Sequence, residues 1–469
     1  MLEISCPTLT PYVVLKNSGH VAKFTDVLVK DVKTNDPFRA DHLLEAFVEK
    51  TLADAKAAPE LKKELEELRP KIEELKAPEL SEIIKKYAIK SPETGNDLSD
   101  AEDFNLMFKT QIGPWADAAA FLRPETAQSL ITNFKRLYEY NNGKLPFAAA
   151  NIGLGFRNEI SPRQSIIRVR EFEMGEIEHF VDPLDKSHYK FQTVEDVKLT
   201  LWRAKDQLAG AEPISISIGE ALKTGVIENE TMGYFLARVY QYMKRIGIKE
   251  EGIRFRQHKP KEMAHYACDC WDCELLTSYG WVESVGIADR SAYDLECHSK
   301  GINKPIVASR PLETPRTEDQ YKITLNKGEL GKQFKKEAAV IFDHVENMSN
   351  EDKAKLQKAV EEGAEFKFTA NEKEYTLTKK EVTEIKVSKI TVNEEKFIPG
   401  VIEPAFGFGR ILYALLEQNF HMRDKERTLF ALPATVSPVK CSILPLMAKA
   451  ELLKFVVDLG SLNLQKNSL

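Results

Sequence analysis

Cysteine is scarce: six residues in a chain of 469, at positions 6, 268, 270, 273, 297 and 441. So thin a supply excludes a disulfide-built scaffold and points to a reduced, intracellular, cytoplasmic protein, with a mitochondrial form as the alternative. No apolar run approaches the roughly 20 residues that a membrane-spanning helix needs. The opening MLEISCPTLTP has no basic stretch followed by an apolar one, so neither a membrane partner nor a signal peptide is expected. An excess of positive charge is also missing. The formal net charge is −6, so any nucleic-acid partner would need a local basic face rather than bulk attraction. No internal repeat is visible. What is present is ordinary for a globular chain, with 43% hydrophobic and 29% charged residues and length for roughly two to four domains.

YVVLK and FTDVLVKD, within residues 12–30, predict strands about a turn at Asn17-Ser18-Gly19, and 38–51 predicts a helix. From about 53 to 103 the chain reads as an insertion, and up to about 90 it is rich in Lys, Glu, Leu and Ala. Leu61, Leu65, Leu68, Ile72 and Leu75 keep a heptad spacing that Pro70 interrupts, which favours a surface helical segment over a partner-binding coil. A helix is expected over 124–140. Strands are expected at about 149–159 and 167–180, joined by a polar turn at Ser161-Pro162-Arg163. Residues 186–250 read as mostly helical, and 253–257 and 281–287 as strands. A second insertion, Lys- and Glu-rich, spans about 300–398, with a helix at 332–348 and short strands at 365–378 and 386–393. The strand 400–405 then leads through GFGR into a helix at 410–419.

Three segments carry candidate chemistry. The first is FRNEISPRQSIIRVREFEMGEIEHF (156–180), read as a hairpin. Alternation puts Arg157 and Glu159 on one face of its first strand, and Arg168, Arg170, Phe172, Met174, Glu176 and Glu178 on one face of its second. Burying such charges is costly unless they are paired or bind something. An Arg fork fits phosphate oxygens, an aromatic face can stack on a purine, and carboxylates can hold an ammonium. A solvated face of cross-strand ion pairs is the competing reading. The second segment is FLRPETAQSLITNF (121–134), where Glu125 is either a ligand or simply an acid favoured by the helix dipole. The third is VIEPAFGFGRILYALLEQ (401–418), where Gly407, Gly409 and Arg410 make either a ligand loop or a tight strand-to-helix turn.

Taken together and in this order, RPETAQ, the block at 156–180, GWVESVGIADRSAYDL (280–295) and VIEPAFGFGR resemble the glycyl-tRNA synthetase family of archaeal and eukaryotic type. The resemblance extends over nearly the whole chain and includes ADHLLEAF, SPETGNDLS and FNLMFKT. It implies an α+β class II synthetase core, an antiparallel sheet flanked by helices, over 1–432, and the start of an α/β anticodon-binding domain at 433–469. It implies a homodimer, with glycine, ATP with Mg²⁺, and tRNA(Gly) as substrates, and diadenosine tetraphosphate as a side product. By the family's pattern Arg157 would bind the α-phosphate and the glycine carboxylate as the catalytic residue. Asn158, Glu159, Arg168, Val169, Phe172, Glu283, Ser284 and Arg410 would bind ATP, with Glu283 also near its Mg²⁺. Glu125, Glu176, Glu403, Pro404 and Ala405 would form the glycine pocket. Glycine has no side chain to grip, so selection would come from excluding larger ones.

The chain departs from the family's pattern at Ala405, where a Ser is usual, and at Ser129, where a Gly is usual. Both ends are expected to fall short of the family's full pattern: the first-motif helix of the dimer interface, and most of the anticodon-binding domain. A truncated relative that binds tRNA or a protein is therefore the alternative function. His265, Cys268, Cys270 and Cys273 offer zinc-capable ligands, but C-x-C-x₂-C is tight for one tetrahedral site, and a strand or core role is favoured over zinc.

Overall fold

The computed structural model describes residues 1–114, 118–370, 373–440, 442–447, 449, 450, 452 and 454–456, without the side chains of 73, 74 and 336. The chain divides into two compact units, one of residues 1–307 with 398–469, the other Ala308–Phe397.

The first unit is built on a nine-stranded sheet. Its spatial order is Leu2–Glu3, Phe147–Phe156, Glu171–Val181, Gly400–Gly407, Gly280–Ser291, Asp269–Thr277, Ile253–Gln257, Lys198–Trp202, Ile214–Ser217. All pairings are antiparallel except those of Leu2–Glu3 with Phe147–Phe156 and of Lys198–Trp202 with Ile253–Gln257. The class is α+β, as expected.

Period-two alternation gives the sheet two chemically different faces. Phe255, Trp271, Cys273, Leu275, Val285 and Ile287 are buried on one of them. Against them pack the helices Glu230–Ile246 and Phe408–Gln418, whose apolar residues recur every three or four positions: Met232, Leu236, Val239, Met243 and Ile246 on the first, Ile411, Ala414 and Leu415 on the second. The longer helix is delimited by its ends. Asn229 accepts from the Met232 N–H at the start, and Gly247, at φ 105°, stops it. Burying each of these large side chains contributes about 1.5–3 kcal/mol.

A smaller core lies in the same unit, where the helices Ala40–Ala53, Pro59–Leu68 and Ala77–Lys86 bury Leu44, Val48, Leu65, Leu80 and Ile84. Leu61, Leu68, Ile72 and Leu75 turn into it as well, so the heptad stripe is satisfied within the chain. The helix ends at Leu68, and Pro70 lies in a following 3₁₀ turn. The second unit pairs the strands Ala308–Leu325 and Val382–Phe397. It closes the helices Lys327–Phe334, Ala338–Asn347 and Asn350–Glu362 and the hairpin Phe366–Ala370 with Lys373–Leu377 over a core of Leu330, Ile341, Leu356 and Leu377.

Local expectations fail where packing overrides propensity. Tyr12–Asn17 is a helix rather than a strand, because Leu15 packs against Met107 and Phe121 while Gly19, at φ 88°, turns the chain. The helix of 124–140 is two, Ala127–Thr132 and Phe134–Tyr140. Asn133 separates them, its side chain bonded back to the Ser129 carbonyl. Residues 186–250 include two sheet strands, and buried Leu199 and Leu201 are the alternation that marks the first of them. The helix of 332–348 is likewise divided, with a 3₁₀ turn at Lys335–Glu337. The hairpin strands end at Phe156 and begin again at Glu171, so Arg157, Glu159, Arg168 and Arg170 belong to the connecting loop and not to strand faces. Among the described residues no helix is long and apolar enough to cross a membrane.

Leu236 is fully buried between helix and sheet. Leu236→Ala should lower the unfolding free energy by about 2–5 kcal/mol, read from urea denaturation midpoints at constant m-value.

Candidate active site

The sheet face opposite the helices is lined with charge instead of hydrocarbon. Strand Glu171–Val181 presents Phe172, Met174, Glu176 and Glu178 in alternation. Register sets their neighbours: Ala405 and Asn151 lie opposite Glu176, Gly286 opposite Ala405, Ala288 opposite Glu403, and Gly155 opposite Phe172. Small residues at these floor positions leave a cavity of about 1060 Å³. At Gly155 the space is needed, since a Cβ there would come within 2.7 Å of the Phe172 ring and 2.8 Å of Met174 Sδ.

One end of the cavity is organised by Arg290, which is fully buried. Its Nε donates to Asp294 Oδ2 at 2.7 Å, and one terminal nitrogen reaches Asp294 Oδ1 at 3.1 Å. The other donates to Glu403 Oε2 at 2.8 Å. Glu125 Oε1 lies 3.6 Å from the guanidinium and 3.3 Å from His20 Nε2. The Tyr266 ring covers the guanidinium at 3.7 Å. Gln128 ties the group together, donating to Asp294 at 2.8 Å and to Glu125 at 3.3 Å while its oxygen meets His298 at 2.7 Å. Glu176 is bonded separately, with the Thr126 backbone N–H and hydroxyl both donating to its Oε2 at 2.6 Å.

These carboxyls do not titrate alike. Burial pushes Glu176 up to about 8, helped by Glu403 and Glu125. Burial raises Glu403 against the pull of Arg290. Burial would also raise Glu125, but the neighbouring His20 and Arg290 outweigh it and hold that carboxyl below the usual range. Burial lifts Glu178 well above the ordinary value, with Glu403 adding to the effect.

At the other end the Arg157 guanidinium sits between two rings, 5.3 Å from Phe24 and 5.5 Å from Phe172, with its Nε on the Pro124 carbonyl at 3.3 Å. Arg410 donates to the carbonyls of Ile167 and Glu283 at 3.1 and 2.8 Å and lies 3.3 Å from the Glu283 carboxylate. Arg168 leans on the His42 ring at 3.3 Å. Burial, together with the nearby Arg39 and Arg168, brings His42 down to about 3, so the ring is neutral. Glu159, Val169 and Ser284 complete this wall.

Of the sequence-predicted residues, Glu125, Arg157, Glu159, Arg168, Val169, Phe172, Glu176, Glu283, Ser284, Glu403, Ala405 and Arg410 line this one cavity. Asn158 and Pro404 are not among its lining. Asn158 gives its backbone N–H to the Leu106 carbonyl at 2.7 Å, and Pro404 pairs with Ile287. The cysteine group does not converge: Cys273 faces the apolar core, Cys268 is exposed, and His265 bonds the Ser18 carbonyl at 3.1 Å. Instead His258, Cys270 and Asp272 meet on the cavity side of the strand. There Asp272 is bonded by His258 at 2.7 Å and approached by Arg256 at 3.4 Å, so protein groups already answer its charge.

Sequence reasoning missed His20, Phe24, Gln128, Tyr266, Arg290 and Asp294. The one available signal was an arginine within the apolar run GIADRSAYDL, followed four residues later by Asp294.

Glu176 titrates in the folded chain at about 8, above its ordinary 4.5. The native state therefore keeps a proton that the unfolded chain gives up, and this group's contribution to stability falls as pH rises through that window. Glu176→Gln should flatten that slope, stabilising the protein relative to wild type at about pH 8 and not at about pH 4.5, in urea titrations at both pH values.

No protein-family profile matches the chain. Individual relatives do. It is 50% identical over 463 residues to the glycine–tRNA ligase of Drosophila melanogaster, covering 98% of this chain and 60% of that one. It is 43% identical over 500 residues to the mitochondrial glycine–tRNA ligase 1 of Saccharomyces cerevisiae, covering 98% of this chain and 72% of the relative. It is 41% identical over 463 residues to the glycine–tRNA ligase of Methanocaldococcus jannaschii, covering 97% and 76%. The chain thus spans about three fifths of the length of the insect relative.

Proposed function

The chain belongs to the glycine–tRNA ligase family, and on that premise we propose that its cavity activates glycine with ATP to glycyl-adenylate and passes the glycyl group to tRNA(Gly). The observation that carries this reading is the meeting, in one cavity, of a buried carboxylate group held on Arg290 with a guanidinium set between aromatic rings.

Glu125, Glu176 and Glu403 form the ammonium end. The floor there is Gly286, Ala288 and Ala405, and the crowded acids leave little room for a side chain, so alanine and serine are refused by exclusion. Arg157 binds the glycine carboxylate and the α-phosphate, stabilising charge as the carboxylate attacks phosphorus and pyrophosphate departs. Phe172 stacks on the adenine, Glu159 and Val169 hold its edge, and Arg168 and Arg410 take the phosphates. Glu283 is exposed at the cavity wall and offers the oxygen ligand that Mg²⁺ on ATP takes, with Ser284 beside it; the ion would neutralise phosphate charge. No protein nucleophile is required. The terminal ribose hydroxyl of tRNA, or a second ATP giving diadenosine tetraphosphate, then attacks the adenylate.

Residues 1–432 act in this reading as the catalytic domain, with insertions at about 53–103 and 300–398, and 433–469 as the start of an anticodon-binding domain. The active form is a homodimer in the cytoplasm; the yeast relative named as mitochondrial marks the alternative compartment.

Glycine-dependent exchange of pyrophosphate into ATP tests the proposal. Exchange should occur with glycine and not with alanine or serine, and Arg157→Ala should lower it by about 10²–10³-fold. A folded, ATP-binding chain without exchange would instead favour a non-catalytic relative. Gly155→Ala should raise the KM for ATP, because the new methyl displaces Phe172, and leave the KM for glycine nearly unchanged, both read from the same assay.

A further inference from the structure

Glu178 has no assigned part in the pocket, yet it is fully buried and neither of its carboxyl oxygens has a hydrogen-bond partner. One of those oxygens lies in a group with oxygens of Glu176 and Glu403, all within 4.8 Å of one another. The charged groups that act on it come from several elements: Glu176 on its own strand, Glu403 on one adjacent strand, Arg290 on the strand beyond, and Asp294 on the helix that follows, while the other adjacent strand faces it with Ala149.

Arg290 cannot answer it, because the guanidinium is already committed to Asp294, Glu403 and Glu125. The Thr126 donors are committed to Glu176. Asn151, equally buried and across the sheet from Glu176, bonds neither carboxyl, for both its amide atoms are without a partner. Around this point five acids, Glu125, Glu176, Glu178, Glu403 and Asp294, crowd about Arg290, with His20 beside Glu125, and among the described residues none of the donors that serve the other four reaches Glu178. An ionised carboxylate with no donor, beside two others in a dry interior, is the costliest arrangement available, and a shared proton relieves it.

We propose that Glu178 is a positioning residue kept as a neutral carboxylic acid, which donates a hydrogen bond to the carboxylate of Glu403 and so fixes it for the substrate ammonium. This deepens, and rests on, the glycine-activating reading of the pocket. The proton sets the charge of the pocket as well as its geometry: with Glu178 neutral, the ammonium enters a pocket that is not a full set of mutually repelling carboxylates. Burial, with Glu403 next to it, lifts the Glu178 carboxyl well above its ordinary value, in the direction the proposal needs.

The test is the infrared spectrum of the full chain at about pH 9, above the range where Glu176, at about 8, gives up its proton. Wild type should show the carbonyl stretch of a neutral carboxylic acid, shifted in D₂O, and Glu178→Gln should lack it. In pyrophosphate exchange Glu178→Ala should raise the KM for glycine at least about tenfold and the KM for ATP by less than about twofold. Glu178→Gln, which keeps the donor, should restore most of that loss and fold with undiminished thermal stability. Absence of the band in wild type, its survival in Glu178→Gln, an unfolded Glu178→Gln, or a Glu178→Gln as impaired as Glu178→Ala would each overturn the proposal. Should the wild-type chain lack glycine-dependent exchange, the functional reading fails while the infrared band still decides the state of Glu178.

Discussion

A single buried guanidinium holds the cavity together. Arg290 touches Asp294, Glu403 and Glu125 from the interior of the sheet, and Tyr266 covers the face of its plane. A buried ion pair adds little net stability when complete, but removing its cation leaves several carboxylates unanswered in low dielectric, at about 3–5 kcal/mol for a single pair. Each of these acids is held in place by a donor that the fold supplies, and the residues that supply them come from the first helical segments, the central strands and the helix after Ser291. Local changes in any of those elements would therefore be felt at the same carboxylates.

The sheet can carry this load because its other face packs a large apolar core. Phe255, Trp271, Leu275, Val285 and Ile287 pack on the helices Glu230–Ile246 and Phe408–Gln418, so the strands are fixed from behind while their alternate residues stay free for polar work. The rear helix Phe408–Gln418 also begins immediately after the strand that carries Glu403 and Ala405, which ties the position of Arg410 to the core. Stability and chemistry thus use the two faces of the same strands.

Much of the cavity was legible in the sequence because the charged residues cluster in long, specific segments. RPETAQ, the block at 156–180 and VIEPAFGFGR each contribute to the cavity, and period two placed Phe172, Met174, Glu176 and Glu178 on one face correctly. The same rule failed for Arg157, Arg168 and Arg170, because the strands end before them and the loop reaches the cavity by another path. Tyr12–Asn17 was misjudged for a related reason: β-branched residues favour strands only until a buried leucine and a turning glycine decide otherwise.

By itself the sequence determined which side chains carry charge, where the apolar periodicities run and which segments belong together, since these are properties of residue order alone. It also determined the family, through motifs too long to recur by chance. Only the tertiary structure decided what the charges do to one another. Glu125 is held ionised and Glu176 is pushed toward its neutral form, although both are buried glutamates, because Arg290 and His20 stand beside the first while Glu403 and Glu125 crowd the second. Likewise nothing local distinguishes Glu178 from Glu176. Coulomb energies depend on distance and on access to water, and residues more than a hundred positions apart, such as Arg290 and Glu403, are brought within hydrogen-bonding reach only by the folded sheet.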